Sequence, residues 1–471
     1  MKKKIYFIIN LTLLTVLFVL FTLYPTGINE GVIWFCLLIF YIYFIKSVSK
    51  PISILPHIKT FMKIDLFFMM FYYIIFFYPY QLHVLNIQDL SYSDFLYKAY
   101  AQYTNPAILS ATIGLVSFQI GFHKVFKFKK VSISIVYPKK YFKKLNRIVA
   151  VFTVFILALY AKTGMVAMFA SSYAGSKTGD VTYDAIFNLV TYFIILSVIA
   201  VLFYFINFRK LNLISIILLS ISVIWCLALL VIGDRNTFFI IAIVIGSGYF
   251  TFIRGITRKK IILFLFPVLF LYQVVEVSRV SEERNLEAIW LAMTETNVEE
   301  EGLDIGSFGI TTVGLRATFK IIEKNQGFFL GKFKFVSLTS IVPYSSRFFL
   351  DKNDPYTGSS NVLKEDMIGS NASWGTGTNI ISDAYLDFGI IGVVVIMYLF
   401  GYFGGFVKYK LINEPNNAQW IFIYLILIGY YSELSRYGFD FPLRSIVWTF
   451  LLFWFISNKN YIKKNLNTKI F

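Results

Sequence analysis

Apolar runs about twenty residues long, divided by short polar stretches, recur along the whole of this sequence. Twelve are predicted as spans, at about 5–24, 30–46, 63–81, 106–126, 148–170, 184–206, 212–232, 236–253, 260–277, 384–407, 418–434 and 441–457. A bilayer core of about 30 Å takes roughly 20 apolar residues as helix. In lipid each backbone polar group needs an internal partner, which a helix supplies. The second run is short, and polar residues break the last two. One long polar segment, 278–383, separates the ninth run from the tenth.

The charges orient these spans. With the first residue cytoplasmic and strict alternation, the cytoplasmic segments are 1–4, 46–63, 124–147, 207–211, 254–260, 408–417 and 458–471, and they hold 28 of the 44 Lys and Arg. The short loops of the other side hold six: Lys98, Lys162, Lys177, Arg235, Arg436 and Arg444. The remaining ten lie in 278–383, where the positive-inside rule has little force. All but Asp65 and Glu414 of the 26 acidic residues fall on or near the outer side. The expected fold is therefore all-α and polytopic, with both termini cytoplasmic. Residues 1–277 carry spans one to nine, 278–383 form a large extracytoplasmic loop with amphipathic helices, and 384–471 carry spans ten to twelve and a cytoplasmic tail.

Composition agrees: 57% of residues are hydrophobic, 15% are charged, and mean hydropathy is +0.68. A soluble protein with that apolar share would expose large adhesive patches. The net charge of +18 is scattered among short loops, not gathered on one face, which argues against nucleic acid. The lysines at 2–4 and the run behind them resemble a signal peptide, but no A-x-A site follows, so the run is read as a retained first span.

Three outer turns carry the candidate chemistry. "GDRNT" (233–237) sets Asp234, Arg235 and Asn236 between two apolar runs. An arginine at a span end commonly snorkels to the interface. Arg235 differs in opposing the charge bias of the short outer loops and in sitting in a tight turn pinned by two helices. A rigid guanidinium suits phosphate or pyrophosphate held through two parallel hydrogen bonds. "VVEVSRVSEERN" (274–285) places Glu276 and Arg279 on one helical face, either as an ion pair ending the span or as a second cation at the depth of Arg235. "GYYSELSRYGFDFPLRS" (429–445) holds Glu433, Arg436, Asp440 and Arg444. Arg444 falls inside the last apolar run, where it needs a polar cavity or a carboxylate such as Asp440.

In the long loop, 286–302 and 308–325 have helical spacing, and the second includes Arg316. They are expected to lie over the membrane mouth. "SIVPYSSRFF" brings Arg347, and "MIGSNASWGTGTNIISDAYLDFGIIG" is a polar lid leading into the tenth span. Trp374, Tyr385 and Phe388 are candidates for stacking on sugar rings, although aromatics are common at membrane interfaces. "DKND" (351–354) imitates an Asp-x-Asp metal–nucleotide-sugar motif, on a side where such donors are scarce. No Walker motif, H-E-x-x-H or G-x-S-x-G occurs, and Cys36 and Cys226 each lie in an apolar run. No metal or cofactor is expected.

A G-x-R turn between mid-chain spans, a large late outer loop with "SIVPYSSRFF", the "GTGTNIISDAYLDFGIIG" entry to the next span and a final arginine turn together resemble the Wzy-type polymerases of O-antigen and capsule repeat units. The resemblance covers most of 200–445. It implies a bacterial inner-membrane glycosyltransferase that moves a growing glycan from undecaprenyl pyrophosphate to the sugar of a second lipid-linked repeat unit. By motif, the functional arginines map to Arg235, and further to Arg279, Arg347 and Arg436. Asp383 stands where these polymerases usually have Glu, which leaves the role of that carboxylate open. The implied partners are undecaprenyl-pyrophosphate-linked glycans and membrane lipid, with a flippase and a chain-length regulator as associated proteins and no nucleic acid. Fixed guanidiniums would stabilise the departing pyrophosphate. Glu276, Asp234 or Asp383 would deprotonate the acceptor hydroxyl. Binding positions extend to Asp234, Asn236, Arg316, Arg347, Trp374, Tyr385 and Arg444.

Two rivals predict other features. An O-antigen-type ligase would be expected to carry a catalytic histidine in its long outer loop, and 278–383 has none. A flippase or secondary transporter would place ionisable groups deep in several spans and show an internal repeat.

Overall fold

A computed structural model describes residues 2–55, 57–87, 99–124, 133–136, 139–163, 181–231, 234–261, 263, 306–342, 345–349, 357–369, 375–456 and 462–465. Helices α1 (Lys2–Leu23) and α2 (Glu30–Ser49) lead to a ladder of β1 (Ile52–Ser53) and β2 (Lys59–Thr60). Then come α3 (Ile64–Phe76), α4 (Tyr78–Val84) and α5 (Thr104–Phe122). After strand β3 (Ile133–Val136) the chain forms α6 (Lys139–Thr163), α7 (Val181–Phe208), α8 (Leu213–Val231) and α9 (Arg235–Phe252). The late loop contributes α10 (Gly306–Asn325), α11 (Lys332–Thr339), α12 (Ser346–Phe349) and α13 (Ser359–Ile368). It is followed by α14 (Ile380–Asn413), α15 (Ala418–Ser432), α16 (Asp440–Ile456) and β4 (Ile462–Asn465).

Among the described residues, six helices are long and apolar enough to cross a membrane and four more are shorter and apolar. Helices stand at every expected span except the ninth, most of which lies outside the described residues. Two details depart from the expectation. Helix α6 begins at Lys139, in a stretch expected to be loop, so its basic first turns are helical. Two short antiparallel ladders also join the helices, β1 with β2 and β3 with β4, the latter pairing Ile133 with Asn465 and Val136 with Ile462.

Burial separates the centre of the bundle from its rim. In the span Ala101–Phe122, 94% of the most apolar window is buried, against 17% in Ile5–Leu23. Helices α5 and α15 are central, whereas α1, α2, α6 and α8 expose large apolar side chains such as Ile8, Leu38, Phe155 and Ile224. Such outward surfaces suit lipid, where hydrophobic burial between helices is replaced by close packing as the source of association. The α5–α14 contact shows that packing. A Cβ on Gly401 would stand 2.0 Å from the carbonyl oxygen of Phe118, one on Gly405 2.4 Å from that of Phe122, and one on Gly121 2.2 Å from that of Tyr398. Backbone therefore meets backbone along a G-x-x-x-G edge, and α14 is held against the central helix.

Asparagine and aspartate side chains close several helix starts, as expected where the first backbone N–H groups lack intrahelical acceptors. Asn29 accepts from Val32 N, Asn379 from Ser382 N and Asn417 from Gln419 N. Alternation of the helices sorts the connections into two groups. One gathers β1, β2 and the 254–258 turn, where Ile256 N donates to the Lys59 carbonyl at 3.2 Å. The other gathers the 234–237 turn, the starts of α14 and α16, and the late-loop helices.

Helix α10 forms where helical spacing predicts it, but not as a surface helix with one polar face. Almost every residue from 309 to 321 is buried, and Thr312 Oγ1 donates to the Ile75 carbonyl at 2.6 Å. It is lodged among α3, α5, α13 and α14, with Val313, Ala317 and Ile321 packed on Leu363, Met367 and Leu386.

Candidate functional site

The site begins at a break in α14. Gly389 has φ +62 and ψ −154, a conformation that L side chains rarely adopt, and a Cβ there would meet the Phe328 ring at 2.7 Å. The break leaves two helical turns, Ile380 to Phe388, set off from the rest of the span. Asp383 and Asp387, four residues apart, share one face of this piece.

Asp387 serves another helix. Helix α11 opens at Gly331, which has no side chain to cap it. Asp387 Oδ1 accepts from Phe333 N at 3.1 Å and Oδ2 from Lys334 N at 2.9 Å, so the carboxylate satisfies the orphan donors and meets the positive end of the helix dipole. Phe329 N also donates to the Leu386 carbonyl at 2.9 Å, fastening the turn before α11 to the same piece. These bonds deliver Lys334. Its Nζ lies 2.6 Å from Asp383 Oδ2, 2.7 Å from the Asp383 carbonyl and 3.4 Å from Asp387 Oδ2.

Asp383, 2% exposed, has further donors from distant segments. Ser359 Oγ at the start of α13 donates to Oδ1 at 2.8 Å, and Phe439 N donates to Oδ2 at 3.0 Å. Two carboxylates and one ammonium thus share a buried cluster that joins α11, α13, α14 and the turn before α16. Removing one partner from such a cluster leaves uncompensated buried charge.

The Phe439 contact leads to the arginine turn. Residues Leu434–Arg436 form a single 3₁₀ turn after α15. Arg436 Nη1 donates to Asn236 Oδ1 at 3.0 Å and lies 3.8 Å from Glu433 Oε2. Asn236 Nδ2 donates to Tyr437 Oη at 2.7 Å. The "GDRNT" and "SELSRYGFDF" turns, two hundred residues apart, are therefore joined through Asn236. Arg444 pairs with Asp440 one helical turn back. Asp234 caps α9, its Oδ1 accepting from Asn236 N at 3.1 Å and Thr237 N at 3.4 Å.

Several sequence candidates are placed elsewhere. Arg316 is wholly buried within the bundle, its guanidinium 5.9 Å from the centre of the Tyr80 ring. Tyr385 packs against Phe319 at 4.5 Å and Phe328 at 5.8 Å between ring centres, so its ring is part of an aromatic core and not an open platform. Arg235 is the first residue of α9 and Arg347 lies in α12, but their side chains, together with Glu276, Arg279 and Trp374, lie outside the described residues. Lys334, Asp387 and Ser359 were not singled out from the sequence. The Asp-x-x-x-Asp spacing ahead of an apolar run is a signal for the aspartates. No local pattern marks the lysine or the serine.

A layout of apolar spans with a late polar loop fits several envelope enzymes. The family model that decides among them is O-antigen polysaccharide polymerase Wzy, which matches residues 5–465. The chain belongs to that family. It is thus a multi-pass bacterial membrane protein of polysaccharide biosynthesis and a polymerase of glycosyltransferase type, acting on lipid-linked oligosaccharide repeat units. Among curated proteins and among solved structures, nothing matches. In this Wzy family member, among the described residues, no group of three or more His, Cys, Asp or Glu is arranged to hold a metal ion.

Proposed function

We propose that the chain polymerises undecaprenyl-pyrophosphate-linked repeat units at the outer face of the cytoplasmic membrane, without metal, using the end of the bundle that carries Asp383 and Arg436. Twelve spans with cytoplasmic termini give this orientation, because the basic loops then lie inside. A single contact carries the reading: the 3.0 Å hydrogen bond from Arg436 to Asn236, which draws two arginine-bearing turns to one place beside the Asp383 cluster.

The acceptor sugar hydroxyl attacks the anomeric carbon of the donor glycan. The bond from that carbon to pyrophosphate breaks, and its electron pair leaves with undecaprenyl pyrophosphate. Negative charge grows on the leaving phosphate, so guanidiniums held in advance lower the barrier more than they tighten the ground state. Arg235 and Arg436 take this role, with Arg279, Arg347 and Arg444 as further anion contacts. Asn236 and Glu433 orient Arg436.

The proton of the acceptor needs a base. Asp234 is engaged in capping, and both carboxylate oxygens of Asp383 already accept within the fold, Oδ1 from Ser359 and Oδ2 from Lys334 and Phe439 N. Asp383 is therefore assigned a positioning role, and Glu276 keeps the role of base. Trp374 is left as a sugar-stacking group. In the cell, a flippase that supplies the repeat units and a chain-length regulator are the associated proteins that fit this reaction.

The test is turnover in vitro. Purified protein, a cognate undecaprenyl-pyrophosphate repeat unit and no nucleotide or metal should give a ladder of repeat multiples. The same ladder with Arg235→Ala and Arg436→Ala would remove the arginines from the mechanism. Transfer to a different acceptor, with no ladder, would turn the reading to a ligase.

A further inference from the structure

At the opposite end of α14 from Asp383 there is a cavity of about 400 Å³ that the polymerase reading does not use. Lys408 lines it, twenty-five residues beyond Asp383 on the same helix, roughly 38 Å along its length at about 1.5 Å per residue. Its wall also carries Lys46, Lys50, Lys63, His123 and Asp65. Four ammonium groups therefore face one carboxylate.

That carboxylate is committed. Asp65 Oδ2 accepts from Ser47 Oγ at 2.6 Å and lies 3.7 Å from Lys63 Nζ. Lys63 is 5% exposed and donates in addition to the Lys50 carbonyl at 3.2 Å. Lys46 and Lys408 are held by aromatic faces instead, 3.3 Å over the Tyr6 ring and 4.8 Å from the Phe122 ring. Among the described residues, no carboxylate lies within ion-pair distance of Lys46, Lys50 or Lys408. Ring faces fix those two ammonium groups without cancelling their charge. His123, just past the end of α5, is pushed down to about 4 by burial and then by the nearby Lys46, so it is neutral at pH 7. A cavity with excess positive charge, serine hydroxyls and room for a small headgroup is built for an anion.

We propose that this cavity binds a phosphate group at the end of the bundle away from the polymerisation site. Its position at the ends of α2, α5 and α14 puts it at headgroup depth in the orientation above, where basic pockets between helices meet anionic lipid. The same chemistry would take soluble phosphate.

Native mass spectrometry on the full chain in detergent tests it, with phosphatidylglycerol, phosphatidylcholine or inorganic phosphate added singly. Wild type should retain phosphatidylglycerol and not phosphatidylcholine, and K46Q/K408Q should weaken retention at least about tenfold. Inorganic phosphate that binds wild type, competes with the lipid and is lost in the variant would also support the site, with a soluble source. K259Q/K260Q, on the basic 254–260 segment but outside the cavity lining, should retain lipid as wild type does. Equal weakening in that control would reduce the effect to general surface charge and overturn the proposal. So would unchanged retention in a K46Q/K408Q protein that elutes as folded as wild type.

Discussion

Lys334 Nζ stands 2.6 Å from Asp383 Oδ2, although the two residues begin different helices and neither is more than 7% exposed. The contact binds the late polar loop to the tenth expected span. Asp387 supports it by fixing the start of α11 through two backbone N–H groups. One carboxylate positions the lysine, and the other receives it.

Loss of the lysine should therefore be costly. Lys334→Met leaves two carboxylates buried together, a change of about 3–5 kcal/mol in systems of this kind. The expected outcome is a clear fall in melting temperature in detergent. Lys334→Met combined with Asp383→Asn should recover part of it, since less uncompensated charge remains. Equal melting of the single variant and wild type would show that the cluster contributes nothing.

The break at Gly389 sets the angle of the Asp383 face. Gly389→Ala meets both a positive φ of 62° and a Phe328 ring at 2.7 Å. A strained non-glycine residue of this kind costs about 1–3 kcal/mol. Turnover should fall further than stability, because the displaced piece carries the cluster. Thermal unfolding and ladder formation, measured on the same preparation, separate the two effects.

Arg436 and Asn236 should differ in degree. Removing a guanidinium that meets transition-state charge costs on the order of 10²–10³ in rate. Arg436→Ala is expected in that range. Arg436→Lys should recover little, since one ammonium cannot reproduce a planar fork. Asn236→Ala unties the turn by removing two hydrogen bonds, one of them from the Arg436 guanidinium, and a fall of about tenfold in kcat is expected. A larger loss from Asn236→Ala than from Arg436→Ala would reverse the roles.

Close packing of α5 on α14 gives a pair of glycines with opposite outcomes. Gly401→Val pushes a side chain into the Phe118 backbone 2.0 Å away, and folded, monodisperse protein should be largely lost. At Gly375 nothing lies within 4 Å, so Gly375→Ala should leave yield and melting unchanged. Size-exclusion profiles of the two proteins suffice to check this.

Local pattern was enough for the parts of this protein that depend on solvent. Apolar runs predicted a helix at each expected span that the described residues cover, because a backbone in lipid has no other way to pair its polar groups. The "GDRNT" and "SELSRYGFDF" turns were legible as special because arginine at an outer span end is out of keeping with its neighbours. Pattern could not say which apolar helix is central and which faces lipid, since the two environments select the same residues. It therefore placed α10, with Arg316, on the surface, and treated Tyr385 as an open ring. Only the tertiary structure brought Lys334, Ser359, Asp383 and the Phe439 amide together across 105 positions of sequence. Such a cluster is set by which helices touch, and that is decided by side-chain shape and close backbone approach at Gly121, Gly401 and Gly405; the spacing of the last two is visible in the chain, but the helix they meet is not.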